Sequence, residues 1–210
     1  DWEGVVPLRL AGRFNVANAL AAMAVAQALD LPLDEAATSL GALEAVPGRM
    51  QRVDEGQPFS VVIDYAHTAE SLAKVLDELA PTDPHGGLIA VFGSAGDRDA
   101  TKREPMGRAA GERARLVIVT DEDPRSEDRL AILESIARGA EAVGKRRGQD
   151  LLIVPDRAAA IAEAMSRARP GDAVLLAGKG HEQTIETATG EMPWDEAAAA
   201  REALHAATGD

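Results

Sequence analysis

The chain has 210 residues and a formal net charge of -13 at pH 7, enough length to bury a core as one domain, or as one domain with part of another. Hydrophobic residues at 46% and charged residues at 27% are the balance of a globular protein and exclude a fibrous one, while the acidic surplus repels phosphate backbones and argues against nucleic acid as a partner. Cysteine is absent, which excludes disulfides, thiolate metal sites and a cysteine nucleophile, and is compatible with a reducing cytosol. No apolar run approaches the roughly 20 residues of a membrane span, and Asp1-Trp2-Glu3-Gly4 is unlike a basic signal peptide. A cytoplasmic protein with no membrane partner is expected. Because the chain begins in mid-pattern without an initiator methionine, it is expected to be a piece of something longer.

In chain order, residues 15–29 are rich in Ala, Leu, Val and Met and predict a helix, apolar almost all round and buried. Asp34 offers an N-cap for a second helix ending near Leu43, and Val46-Pro47-Gly48-Arg49 is turn-forming punctuation. From there short β-type runs alternate with longer helical ones. Strands are predicted over 59–63, 88–92, 116–120, 151–154 and 173–176, and helices over 69–79, 105–114, 128–143, 157–168 and 196–206. Strands such as Leu116-Val117-Ile118-Val119 are continuously apolar, as in a parallel sheet covered on both faces. The fold class predicted is α/β: a doubly wound, mostly parallel sheet. Residues 184–192, turning at Thr189-Gly190, predict a small hairpin.

In such a sheet ligands bind beyond the carboxyl ends of the strands, and the loops there are polar. They read Asp64-Tyr65-Ala66-His67-Thr68, then Gly93-Ser94-Ala95-Gly96-Asp97-Arg98-Asp99, then Asp121-Glu122-Asp123-Pro124-Arg125, and finally Gly178-Lys179-Gly180-His181-Glu182. Each has a plain structural reading too. Asp64 serves equally well as an N-cap, His67 as a hydrogen-bonded structural histidine, and Gly93 and Gly96 as turn residues or as an anion-approaching loop. Arg98, Lys102 and Arg103 fit a solvated basic patch, and Pro124 before Ser126 fits a helix start. The Gly178-Lys179-Gly180 segment fails the G-x-x-x-x-G-K-[ST] spacing of a phosphate loop, and no dinucleotide fingerprint G-x-G-x-x-G occurs.

Taken together, Gly12-Arg13-Phe14-Asn15-Val16-Ala17-Asn18-Ala19-Leu20-Ala21-Ala22, Pro47-Gly48-Arg49-Met50, the DYAHT, GDRD and DPR segments, and GKGHE resemble the Mur ligases in order and spacing over almost the whole chain. Among them the chain looks most like the UDP-N-acetylmuramoyl-tripeptide synthetases (MurE). The resemblance implies the carboxyl-terminal part of a three-domain ligase. Residues 1–45 would be the end of the central ATPase domain, and residues 46–210 the Rossmann-like carboxyl-terminal domain. It implies activation of a substrate carboxylate as an acyl phosphate by ATP and magnesium, followed by attack of an amine. The metal ligands would lie in the central domain. Implied partners are the remaining domains of the ligase, a UDP-N-acetylmuramoyl dipeptide and a diamino acid.

By resemblance, Asn18, Arg49, Asp64 and His67 would bind ATP. Arg98, Asp123, Arg125, Gly178 and Glu182 would bind the amino acid, the two arginines taking carboxylates and Gly178 with Glu182 the distal ammonium. The chain departs from the family at Asp123, where the diaminopimelate-type loop usually reads Asp-Asn-Pro-Arg. An ionised Asp123 cannot donate a hydrogen bond to a second substrate carboxylate and would pair with Arg125 or favour lysine or ornithine. Arg125 argues for meso-diaminopimelate, which stands slightly ahead. Ala69, Ser94-Ala95 and Ala197 are lesser departures. The rivals are other ligases of the superfamily (MurF, folylpolyglutamate or cyanophycin synthetase) and, from another class, a non-catalytic amino-acid-binding domain.

Overall fold

The computed structural model describes residues 2–10, 12–81 and 84–208. Among them the main sheet has strands β1 (Gln51–Val53), β2 (Ser60–Asp64), β3 (Leu88–Phe92), β4 (Leu116–Val119), β5 (Leu151–Ile153) and β6 (Ala173–Ala177), in the order β1-β2-β6-β3-β4-β5. Strands β2, β6, β3, β4 and β5 are mutually parallel, and β1 runs antiparallel to β2 at the edge. The apolar runs follow from burial on both faces. In β3, Ala90 and Phe92 enter one core cluster while Ile89 and Val91 enter the other. The first cluster is closed by α3 (Ala69–Glu78), α4 (Arg103–Gly111) and α5 (Arg129–Glu141), through residues such as Leu76, Met106 and Ile136. The second is closed by α6 (Arg157–Arg167) and α7 (Glu196–Thr208), through Ile161, Met165 and Leu204. Period-2 side chains on a strand therefore meet helices on either side, and the predicted fold class stands.

Helix starts follow capping chemistry. Thr68 caps α3 in a reciprocal box with Ser71, Asp128 accepts from Leu130 N before α5, and Asp156 accepts from Ala159 N before α6. Asp64 is not the cap of α3. It lies inside β2, and its carboxylate accepts from Met50 N and Ala66 N instead. The helix expected over 105–114 begins earlier, at Arg103, behind a 3-10 turn (Ala100–Lys102) capped by Asp99. Pro124 and Ser126 start no helix, because Asp128 does so downstream.

Near the amino terminus α1 (Phe14–Ala28) and α2 (Leu33–Ala42) pack on each other. Pro32, not Asp34, is the N-cap of α2; Asp34 sits in the first turn, where its charge suits the helix dipole. The expectation of a buried α1 also fails, since Val16, Leu20, Val25 and Leu29 are more than half exposed. An apolar helix is buried only where a second surface covers it, and none of the described residues covers this face. The predicted hairpin forms as β7 (Thr184–Thr187) and β8 (Gly190–Pro193). Edge strand β1 was not anticipated. It is three residues long with only Val53 buried, too short for a periodic signal.

Candidate functional site

Because β2 to β6 are parallel, all their carboxyl ends open on one rim. Strand β6, the last of the main sheet in sequence, is inserted between β2 and β3, so chain direction across the sheet reverses there. The loops after β2, β3 and β6 thus meet at the crevice where open α/β sheets bind ligands.

The loop after β2 carries the first group of charges. Asp64 is buried, with Oδ2 accepting from Met50 N at 2.9 Å and Oδ1 from Ala66 N at 2.8 Å. This ties the turn holding Arg49 to the end of β2. The Arg49 guanidinium lies 4.8 Å from the centre of the Tyr65 ring, within cation–π range. Tyr65 also stands near the rings of His67 and His181, and its hydroxyl donates to Glu182 Oε1 at 3.1 Å. Burial, followed by the Glu182 carboxylate, raises the Tyr65 pKa, so the phenol stays protonated as the donor. His67 Nδ1 is 3.0 Å from Tyr65 O. A carbonyl can only accept, so Nδ1 carries the hydrogen. Lys102 Nζ donates to His67 O at 2.9 Å, bracing this loop from the neighbouring one.

The loops after β3 and β4 pack backbone against backbone. Gly96 N donates to Asp123 O at 2.8 Å, and a Cβ on Gly96 would stand 2.1 Å from Pro124 O. A Cβ on Gly93 would stand 2.2 Å from Thr120 O. These glycines serve close loop packing, and the Gly96 amide is already committed, so the anion-loop alternative does not hold at Gly96. Nor is the basic patch uniform. Arg103 is buried and bound to Glu127 at 2.9 Å, whereas Arg98 is exposed and makes no hydrogen bond or ion pair with the described residues.

The loop after β4 meets the loop after β6 through a buried ion pair that the sequence did not reveal. Lys179 Nζ lies 2.8 Å from Asp123 Oδ1 and 2.8 Å from Glu182 Oε2, with its side chain 1% exposed. Asp123 does not pair with Arg125, as the sequence had allowed. The sequence clue to Lys179 was its position two residues beyond the five buried residues of β6. Arg125, at φ 50, donates from Nε to Glu186 Oε2 at 2.6 Å and from a terminal nitrogen to Gly96 O at 3.1 Å. Its hydrogen bond to Glu186 is the main reason its pKa is raised further.

A second buried pair sits beneath these loops. Arg157 binds Glu196 through Nε and Nη2, and donates from Nη1 to Asp121 O and from Nη2 to Ala177 O, each at 2.9 Å. One side chain thereby holds the carbonyls where both β4 and β6 run out. Trp194 Nε1 adds a bond to Glu196 Oε2 at 2.6 Å.

Glu122 is buried as well, and its Oε2 has no hydrogen-bond partner. A Cβ on Gly178, whose φ is 102, would stand 2.8 Å from that oxygen, so glycine is required there both for backbone and for space. Burial raises the Glu122 pKa above its ordinary value of 4.5, against the pull of Lys102, Arg157 and Lys179. A carboxyl whose folded pKa is raised stabilises the fold fully below its unfolded value, and that contribution is lost as pH rises through the folded value. Glu122→Gln cannot ionise. Thermal melts at pH 5 and pH 8 are expected to show a smaller loss of stability with pH for this variant than for the parent. An equal loss in both would mean that Glu122 is not held against its charge.

Of the residues picked from the sequence, the structure brings Arg49, Asp64 and His67 together with Asp123, Arg125, Gly178 and Glu182 on the one rim, and Arg98 lies on the adjoining loop. Asn18 is apart. It is exposed on α1, its Nδ2 donating to Asn15 Oδ1, and no hydrogen bond or ion pair joins it to Arg49, Asp64 or His67. Among the described residues no group of three or more His, Cys, Asp or Glu side chains is placed to hold a metal ion.

Comparison with known proteins places this architecture. The family model for the Mur ligase, glutamate ligase domain, matches residues 48–180. The chain is 56% identical over 197 residues to the UDP-N-acetylmuramyl-tripeptide synthetase of Roseiflexus sp. (strain RS-1), covering 94% of this chain and 38% of that protein. It is 49% identical over 195 residues to the UDP-N-acetylmuramoyl-L-alanyl-D-glutamate–2,6-diaminopimelate ligase of Streptomyces coelicolor, covering 93% of this chain and again 38% of the relative. A solved structure of a UDP-N-acetylmuramoyl-L-alanyl-D-glutamate–2,6-diaminopimelate ligase superimposes with a TM-score of 0.69 at 35% identity, over 96% of this chain and 40% of that one. The chain thus spans little more than a third of the length of these relatives, and over that span it belongs to the Mur ligase family, carrying its carboxyl-terminal glutamate ligase domain.

Proposed function

We propose that this chain is the amino-acid-receiving part of a cytoplasmic, ATP-dependent ligase of cell-wall synthesis, which joins a diamino acid to UDP-N-acetylmuramoyl-L-alanyl-D-glutamate. The candidates for that amino acid are meso-diaminopimelate, L-lysine and L-ornithine. Residues 1–45 are read as the end of the ATPase domain and 46–210 as the carboxyl-terminal domain. Arg49, Asp64 and His67 face the nucleotide, and Asn18 joins them on the adenine side once the rest of the ATPase domain is in place. Arg98, Asp123, Arg125, Gly178 and Glu182 surround the amino acid.

The observation that carries this reading is Tyr65. The proposed phosphate-side residue Arg49 lies over its ring, and its hydroxyl donates to the proposed ammonium-side residue Glu182. Amide formation requires an amine beside a carboxylate activated by the nucleotide, and holding the two together removes most of the entropic barrier. A single side chain bridging the two groups suits that task. Arginine fits phosphate oxygens through its planar donors, whereas carboxylates suit ammonium groups. ATP in complex with magnesium supplies the phosphoryl group; the chain has no phosphate loop of the G-x-x-x-x-G-K-[ST] type and no metal cluster among its described residues. Alone it is therefore expected to bind an amino acid without turnover.

Calorimetry of the isolated, folded chain with each of the three diamino acids tests the amino-acid site; heat from none of them counts against it. An ATPase and amide-product assay tests the division of labour, and product formed by the isolated chain would overturn it.

A further inference from the structure

Arg125 is not an open receptor for a carboxylate. A guanidinium grips a carboxylate through paired N–H groups, either Nε with one terminal nitrogen or the two terminal nitrogens together. Here each side already has a donor engaged, Nε by Glu186 Oε2 at 2.6 Å and Nη1 by Gly96 O at 3.1 Å, and the side chain is only 20% exposed. Glu186 is not a passing surface contact. Its backbone N donates to Asp123 Oδ1 at 2.8 Å and its carbonyl accepts from Arg125 N at 3.0 Å, so β7 is fastened to the 123–125 segment at three points.

The rest of the pocket has the opposite disposition. Asp123 Oδ1 accepts from both Lys179 and Glu186 N, while Asp123 Oδ2 accepts no hydrogen bond from the described residues. Asp123, Glu182 and Glu186 are three carboxylates sharing two cations, Lys179 and Arg125. The surplus is one negative charge beside an unused carboxylate oxygen, a place for an ammonium. On the adjoining loop Arg98 is exposed, makes no ion pair with the described residues and offers one carboxylate site. The rim therefore provides for one carboxylate and one distal ammonium, and Arg125, with Nε and Nη1 engaged, is left without an open pair of nitrogens for a second carboxylate.

Resting on the reading above that this rim holds a diamino acid, we propose that Glu186 is a specificity-determining residue. It occupies Arg125 Nε while Gly96 O occupies Nη1, so that the protein selects a diamino acid with a single carboxylate, of the lysine or ornithine kind, over diaminopimelate. This reverses the order suggested by Arg125 considered by itself. A dicarboxylic substrate would set its distal carboxylate against both Glu186 and Asp123, and like-charge juxtaposition is strongly unfavourable.

The test is kcat/KM of the full-length ligase containing this chain for L-lysine, L-ornithine and meso-diaminopimelate, in the parent, in Glu186→Gln and in Asp123→Asn. The parent is expected to prefer lysine or ornithine. Glu186→Gln is expected to raise the diaminopimelate-to-lysine ratio by roughly 10- to 100-fold, with Asp123→Asn shifting it the same way. Glu186 is partly exposed, and a melting curve for each variant separates altered choice from failure to fold. A parent that prefers diaminopimelate, or a well-folded Glu186→Gln whose ratio stays within about twofold of the parent, overturns the proposal. A parent that ligates none of the three fails at the earlier reading instead, and the proposal falls with it.

Discussion

Arg157→Ala is expected to destabilise the protein by about 3–5 kcal/mol, because it strands the Glu196 carboxylate in the interior. Both side chains of the pair are 1% exposed, so water cannot replace the lost cation. For a protein of this size the loss corresponds to a fall in melting temperature of roughly 6–20 °C. The carbonyls of Asp121 and Ala177 lose their donor in the same step. Adding Glu196→Leu removes the stranded charge, so the double variant is expected to melt above Arg157→Ala and below the parent, the remaining deficit reflecting the two carbonyls and the Trp194 N–H that loses its acceptor. A double variant no more stable than the single one would show that the buried charge is not what makes Arg157 necessary.

Lys179→Met is expected to have the next largest effect, about 3 kcal/mol, since it takes the shared cation from Asp123 and Glu182. Methionine fills similar space, which isolates the charge from the packing. The cost falls below that of Arg157→Ala because Glu182 is a third exposed and water can partly solvate it. Asp123→Asn in the same background removes the more deeply buried carboxylate and is expected to recover part of the loss. Denaturant midpoints for the parent and the two variants check this. A Lys179→Met protein as stable as the parent would mean that the ammonium costs as much to bury as its two partners return.

Much of the site was legible because parallel α/β sheets place the ends of their strands on one edge. Once the strands were read from their apolar runs, the loops beginning at Asp64, Gly93, Asp121 and Gly178 had to share a rim. Asp123 and Arg125 stood out for the same reason. Their partners did not, because partners come from distant stretches of chain. Glu186 lies 61 residues beyond Arg125, and Lys179 lies 56 beyond Asp123. Glu196 reaches Arg157 across 39 residues, and nothing in the local pattern of either helix marks the pair. The exposed face of α1 was misread on the same account: composition shows that a helix is apolar, but only neighbours decide whether it is covered.

The sequence by itself thus determined the architecture and the family, since strand and helix periods and motif order are local properties of the chain. Tertiary structure alone decided the electrical state of the site. Which carboxylate meets which cation depends on loop ends that meet only when β6 enters the sheet between β2 and β3. Arg125 reads in sequence as an open clamp and is closed in the fold by Glu186. A charged group is defined by its nearest opposite charge and its distance from water, and folding sets both.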